Sequence, residues 1–437
     1  MTQIKPQDPN SSTTPLRTPA TMSKLRIWWS GVTPEYLNSA QDRVLDVFSS
    51  SSAPSQLLGR PGARLNTLDI PGPEGSEERP PIVLWHGFGT GLGIWGKQMK
   101  ALSQHSRVIA VDLPGMGGSE RASFVGESEK EAEDYFVEAL EAWRSALGLQ
   151  RMMLVGHALG GHLAAVYALR YPHFVAQLVL VSPQGLAPAE NESEAAVSPS
   201  MAVMWARGIT PQRLCRWGGR TVGRSLAGRL VDARFAGEPQ AWRDALAEYL
   251  YVSWAAPSDA EVAVTRLLPF AGSHAQHLQD RMRRLKVGVV FLYGQHDWAD
   301  HGAADELIPQ LAVAGSVTLV PGAGHYSFID NFAKFNVLIE KVQALVVAAG
   351  PMGHASSSSL NLNALVADTG SDTGGLTVET FQIGGPGSDN ENEEAQSHRS
   401  GDSATGTLKR RAVGEASAAP VAAAPPSKTV IEELFVF

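Results

Sequence analysis

Apolar residues in this chain fall into two rhythms. Short, nearly unbroken apolar runs occur at residues 64–70, 81–85, 107–112, 151–155, 178–181, 287–293 and 316–320. Runs of this length, bounded by Gly, Pro, Asn or Asp, predict strands buried on both faces. Longer stretches at 94–104, 129–147, 159–170 and 332–347 repeat their apolar residues every three or four positions and predict amphipathic helices. Residues 37–47 read the same way. Ser128 and Glu131 have the spacing of a capping box and fix the start of the helix that follows. Strands alternating with helices predict an α/β protein, a mostly parallel sheet with helices on both faces.

Composition divides the chain into three. Residues 1–23 are rich in Ser, Thr, Pro and Asn and predict a disordered leader. The leader holds little acid, which leaves mitochondrial targeting open, although few arginines and two early prolines suit such a segment poorly. Residues 24–348 carry the alternating pattern and predict the folded domain. From 349 to 437 the sequence turns rich in Ser, Gly, Ala and Asn and predicts a disordered, low-complexity tail. Its apolar end, 430–437, reads as a frayed terminus or a short docking motif.

Bulk properties narrow the function. Of 437 residues 43% are hydrophobic, enough for a large core, and the net charge of −8 argues against a nucleic-acid partner. The single cysteine, Cys215, excludes an internal disulfide framework and fits a reducing compartment. No apolar run approaches the length of a spanning helix, so no membrane-crossing segment is expected.

Chemistry enters at Gly156-His157-Ala158-Leu159-Gly160. The frame is G-x-S-x-G, a sharp strand-to-helix turn whose glycines permit close packing and whose serine is a nucleophile. Alanine stands at the serine's place. A methyl group cannot attack a carbonyl, so the sequence asks whether this chain cleaves an ester at all. Losing the nucleophile of a working triad costs about 10⁶ in rate and leaves ~10³–10⁴ over water.

Further pieces follow in order. His86-Gly87-Phe88-Gly89 comes after a core strand and would offer the Phe88 N–H to an oxyanion, with Leu159 N–H as the second donor. Residues 112–119, beginning at Asp112, read as a structural turn. Asp297, three residues past Gly294, is the preferred acid that would fix a histidine's tautomer, with Asp300 in reserve. His325, between flexible glycines and the last helix, has the position of the general base. No metal site is indicated.

With these residues in hand, the chain resembles the α/β-hydrolase subfamily of the lipid-droplet lipase co-activator, lysophosphatidic acid acyltransferase-like proteins, N-acylphospholipid hydrolases and fungal cardiolipin deacylases. The likeness covers about residues 25–348 and rests on L-W-H-G-F-G at 84–89, V-G-H-A-L-G-G at 155–161, Y-G-Q-H-D-W at 293–298 and His325-x4-Asp330. It implies the α/β-hydrolase fold, a mostly parallel eight-stranded sheet with a helical cap inserted at about 184–277. It further implies a role in lipid homeostasis or phosphatidic acid synthesis, as a carboxylic ester hydrolase or lysophosphatidic acid acyltransferase. A lipid or phospholipid ester would be the substrate, acyl-CoA a co-substrate, and no cofactor is called for. The place would be cytoplasmic, peripheral on a lipid droplet or membrane, the tryptophan pair Trp28-Trp29 fitting the co-activator's attachment to lipid surfaces. The subfamily reads Asp330 as the partner that orients its histidine. The residues alone read Asp330 as a cap on the final helix, which begins near Asn331. The co-activator also lacks the serine and works by binding lipase partners, while active relatives keep it. A deliberate Ser-to-Ala change would leave the same residue. Two readings follow: an enzyme of acyl or ester transfer with impaired or serine-free chemistry, and a pseudo-hydrolase that binds lipid or acyl-CoA and regulates a lipase partner.

Within the insertion, Thr210-Pro211 predicts a helix start. On one continuous helix Arg213, Arg216, Arg220 and Arg224 would share an arc of about 80° at ~100° per residue. Together with Trp205, Trp217, Trp242 and Trp254 they predict a surface for anionic headgroups or a phosphate-bearing substrate. The alternative is a solvated basic face over ordinary cap tryptophans, which Gly218, Gly219 and Gly223 favour by weakening the helix.

Overall fold

The structure, a computed structural model, describes residues 30–47, 55–186, 199–268 and 278–350. The expected leader at 1–23, the pair Trp28-Trp29 and the tail beyond residue 350 lie outside the described residues. The strands are β1 Gln56–Leu58, β2 Leu65–Ile70, β3 Ile82–Trp85, β4 Val108–Val111, β5 Met152–His157, β6 Val175–Val181, β7 Val289–Gly294 and β8 Gly315–Val320. They form one eight-stranded sheet in the order β1-β2-β4-β3-β5-β6-β7-β8. Only β2 runs against its neighbours, β1 and β4, and every other pair is parallel. The expected strands are all present, and β1 is an addition.

The first helices are α1 Pro34–Asp46, α2 Gly96–Leu102, α3 Glu129–Ala146 and α4 Leu159–Arg170. Between β6 and β7 come α5 Pro199–Ala206, α6 Pro211–Trp217, α7 Gly219–Arg234, α8 Gln240–Ala255, α9 Ala260–Leu267 and α10 Leu278–Met282. The last are α11 Gly302–Leu307, α12 Ser327–Asp330 and α13 Phe332–Ala349. The capping box forms as expected, with Ser128 and Glu131 closing on each other's backbone at the start of α3. Among the described residues no helix is long and apolar enough to cross a membrane.

Side chains alternate across the sheet, as the pleat demands. Ile82 and Leu84 of β3 enter one core, with residues of α1, α2 and α13; Val83 and Trp85 enter the other, with residues of α3 and α4. α4 is buried along nearly its whole length, which explains a sequence apolar all round rather than on one stripe. The parallel strands place their carboxyl ends along one edge, where open α/β sheets gather their ligand-binding loops. The loops after β3, β5, β6, β7 and β8 therefore converge.

Candidate active site

The turn between β5 and α4 puts Ala158 at φ 50° and ψ −114°, a left-handed conformation that costs a non-glycine residue on the order of 1–3 kcal/mol. Neighbours hold it there. Its N–H donates to Val181 O at 3.0 Å, and its carbonyl accepts from His162 N at 3.0 Å and Gln184 N at 3.2 Å. The flanking glycines are sterically required. A Cβ on Gly156 would lie 2.3 Å from Gly160 O, and one on Gly160 would lie 2.5 Å from Trp85 O. The Ala158 methyl is fully buried.

Two loops away stands an acid–imidazole pair. His325 Nδ1 lies 3.0 Å from Asp297 Oδ1, and both side chains are 2% exposed. Ser182 Oγ donates to Asp297 Oδ2 at 2.5 Å, and Ala299 N–H donates to Oδ1 at 3.0 Å. Burial pushes the Asp297 carboxyl up, but the hydrogen bond and charge of His325, with Ser182 and Ala299 N–H, outweigh it and hold it below its ordinary value. An ionised Asp297 fixes the proton on Nδ1, which leaves Nε2 as the basic atom. That Nε2 is buried and has no hydrogen-bond partner among the described residues. Trp298 stacks on the imidazole, centroids 4.5 Å apart. His157 packs on its other flank at 4.8 Å, its Nε2 lying 3.1 Å from His325 O. Burial, then the nearby His325, keeps His157 well below its usual value, so it is a neutral donor to that carbonyl at neutral pH.

The loop after β3 closes over the turn. A Cβ on Gly87 would come within 3.2 Å of the Ala158 Cβ, so only glycine lets the loop approach this closely. The His86 ring is fixed by its contacts: Nε2 accepts from Leu113 N–H at 2.9 Å, so the proton sits on Nδ1 and points to Gly87 O at 2.8 Å. Phe88 is buried edge-on against Trp205, and Trp254 Nε1 donates to Gly89 O at 2.7 Å. Leu159 is the first residue of α4, where N–H groups lack intrahelical acceptors. Leu159 follows Ala158 directly, and Phe88 follows Gly87, whose Cβ position lies 3.2 Å from the Ala158 Cβ. Asp112 is consumed structurally, accepting from Leu92 N at 2.6 Å, Gly118 N at 2.8 Å and Asn66 Nδ2 at 2.7 Å.

Several expectations need correction. Asp300, the reserve acid, is not the partner of His325 Nδ1, which is Asp297, and accepts from Gly302 N–H at 2.9 Å. Asp330 neither orients His325 nor caps the final helix. The cap of α13 is Asn331, whose side chain accepts from Lys334 N, while Asp330 ends α12 and accepts from Gly324 N–H at 2.8 Å. Asp330 therefore ties down the loop that carries His325. The cap arginines do not share a helix: α6 ends at Trp217 and α7 starts at Gly219, where φ is +66°. Arg216 pairs with Glu261 at 2.6 and 2.8 Å, Arg224 with Glu248 at 2.7 Å, and Arg213 donates to Gly208 O at 2.9 Å. Arg220 alone of the four is exposed.

Ser182, Trp298, His157 and Trp254 are the members that sequence reasoning did not assign to the site. Trp298 and His157 lay inside quoted motifs, so their adjacency to Asp297 and Ala158 was the available signal. Ser182 has a left-handed backbone, φ 46°, directly after β6, which no sequence pattern marks. Among the described residues no group of three His, Cys, Asp or Glu side chains could hold a metal ion.

Residues 80–332 match the model of the α/β-hydrolase fold family. A probable 1-acylglycerol-3-phosphate O-acyltransferase of Oryza sativa subsp. japonica is 34% identical over 286 residues, covering 62% of this chain and 68% of its own length. The (lyso)-N-acylphosphatidylethanolamine lipase of Homo sapiens is 30% identical over 281 residues, covering 61% of this chain and 79% of its own. Among solved structures, a bacterial membrane phospholipase A superposes with a TM-score of 0.52 at 22% identity, over 72% of this chain and 92% of that one. That structure shares the fold.

Proposed function

The chain belongs to the α/β-hydrolase fold family, and from that premise we propose that it works in lipid metabolism, handling a phospholipid acyl group by serine-free attack. The buried His325 Nε2 carries the reading: it is tautomerically fixed by Asp297 and has no partner among the described residues. A binding scaffold has no need of such a base. The rice relative's name pairs a lysophospholipid with acyl transfer, and the human relative's names lipid hydrolysis.

The hydroxyl of a lysophosphatidic acid, or a water, gives its proton to His325 Nε2 as its oxygen attacks the acyl carbonyl carbon. Charge on the carbonyl oxygen falls between the Phe88 and Leu159 N–H groups. Collapse breaks the bond to the leaving group, the CoA sulfur or an ester oxygen, which takes the proton back from Nε2. Asp297 holds the Nδ1 proton and stabilises the imidazolium throughout. No covalent enzyme intermediate forms. The chain would meet its substrate at a lipid droplet or membrane surface from the cytoplasmic side, or in mitochondria if the leader is a targeting segment.

Ala158 itself favours a second reading, in which the chain binds lipid or acyl-CoA and regulates a lipase partner. One assay separates the two. Acyl transfer from acyl-CoA to lysophosphatidic acid, and phospholipid ester turnover, are measured for the unaltered protein and for His325→Gln. The enzyme reading expects a fall of about 10²–10⁴. Equal rates in both, with lipid binding retained, would leave only the regulator.

A further inference from the structure

The cap carries a cavity whose lining includes neither Ala158, Asp297 nor His325. It has a volume of about 460 Å³ and lies between α6, α7 and α8, with Ser30 on its rim. Arg213 and Arg216 form one wall, Trp217 and Tyr251 supply aromatic surface, and no Asp or Glu lines it among the described residues. Arg216 is answered from behind by Glu261, so its charge is largely compensated. Arg213 donates instead to a neutral carbonyl, Gly208 O. Arg220 packs against Gly31, next to Ser30, its Cδ standing 3.3 Å from where a Cβ on Gly31 would be. Trp217 is 60% exposed, the most exposed of the aromatic side chains that line or cover this region.

These features fit one chemistry. A planar guanidinium fork matches the oxygens of a phosphate, and an aromatic wall beside it covers the carbon skeleton that bears the phosphate. We propose that this cavity binds the phosphate group of a phosphorylated ligand, with Arg213 as the main anion contact and Trp217 as the wall. The phosphate has two sources, an anionic phospholipid headgroup in a surface or a soluble phosphate ester. The inference does not rest on acyl chemistry at Ala158: a chain silent in turnover would keep the cavity. The two places are nevertheless joined by one residue. Arg216 donates to Trp254 O at 2.8 Å, and the Trp254 indole donates to Gly89 O beside Phe88.

The full chain is titrated with inorganic phosphate and with glycerol 3-phosphate while tryptophan fluorescence is followed, using Trp217→Phe to assign the signal. In parallel it is floated with phosphatidylcholine vesicles, with and without phosphatidic acid. Both are repeated on Arg213→Gln, and on Arg213→Lys, which keeps the charge. Saturable phosphate binding that weakens about tenfold in Arg213→Gln, with partial recovery in Arg213→Lys, supports a site that reads phosphate itself. Recruitment by phosphatidic acid alone, again lost in Arg213→Gln, supports the site and assigns it to a headgroup at a surface. Arg213→Gln behaving like the unaltered protein in both assays overturns it, as does the absence of both responses.

Discussion

Around Ala158 the backbone devices of a nucleophile turn are in place and the attacking atom is missing. In the cap the situation is reversed. Four arginines are in place, and the continuous helix face that would have gathered them is missing, because Gly218 and Gly219 end one helix and start another. The turn keeps its shape because glycine spacing specifies backbone geometry: Gly156 and Gly160 are pressed against carbonyl groups that admit no Cβ. Arginines specify no geometry of their own. Arg216 pairs with Glu261 and Arg224 with Glu248, and charge that looked collective becomes local. A motif of small residues is thus a stronger statement about structure than a motif of charges, even when the residue that would act is gone.

The largest effect is expected at the turn. Gly160→Val places branched carbon against Trp85 O and His86 O, where even a Cβ would sit at 2.5 and 2.6 Å, and a destabilisation above about 3 kcal/mol in urea unfolding is expected. In the cap, Arg216→Met leaves Glu261 buried without its cation. The cost expected is about 3 kcal/mol, whereas Arg220→Gln, on the same predicted arc but exposed, should stay within about 0.5 kcal/mol. Equal costs for the two would restore the picture of one basic face.

A pH series sharpens the same contrast on α4. His162 is buried, with Nδ1 3.1 Å from Gln184 O, and burial lowers its pKa to about 4. The unfolded chain takes up this proton first, near pH 6.5, so stability falls as pH drops from there and levels off below about 4. Between pH 6.5 and pH 5 the His162 share is about 2 kcal/mol. His162→Gln should shrink the pH 5 deficit by that amount, and an unchanged pH slope would contradict the assignment.

Much of this was legible beforehand. The sheet followed from apolar runs, because strands buried on both faces tolerate no polar alternation. Asp297 and His325 followed from their place after late strands. β1 was not legible: three residues at the sheet edge, mostly exposed, carry no pattern. Counting ~100° per residue through Gly218 and Gly219 assumed a helix that a left-handed glycine interrupts. Asp330 and Asn331 are adjacent cap formers, and only the short helix α12 decides that Asn331 takes the helix and Asp330 takes the loop. Ser182 reaches Asp297 across 115 residues of sequence, a contact set by strand order alone.

On the proposed reading, His325, Asp297 and the N–H groups of Phe88 and Leu159 still serve the place of an absent nucleophile. Fluorophosphonate labelling of Ala158→Ser tests it most directly, beside the unaltered protein and the double variant with His325→Gln. Ala158→Ser is expected to be labelled and the unaltered protein not, and adding His325→Gln should abolish the label. A folded Ala158→Ser that takes no label would mean the site has lost more than its nucleophile, and would contradict it.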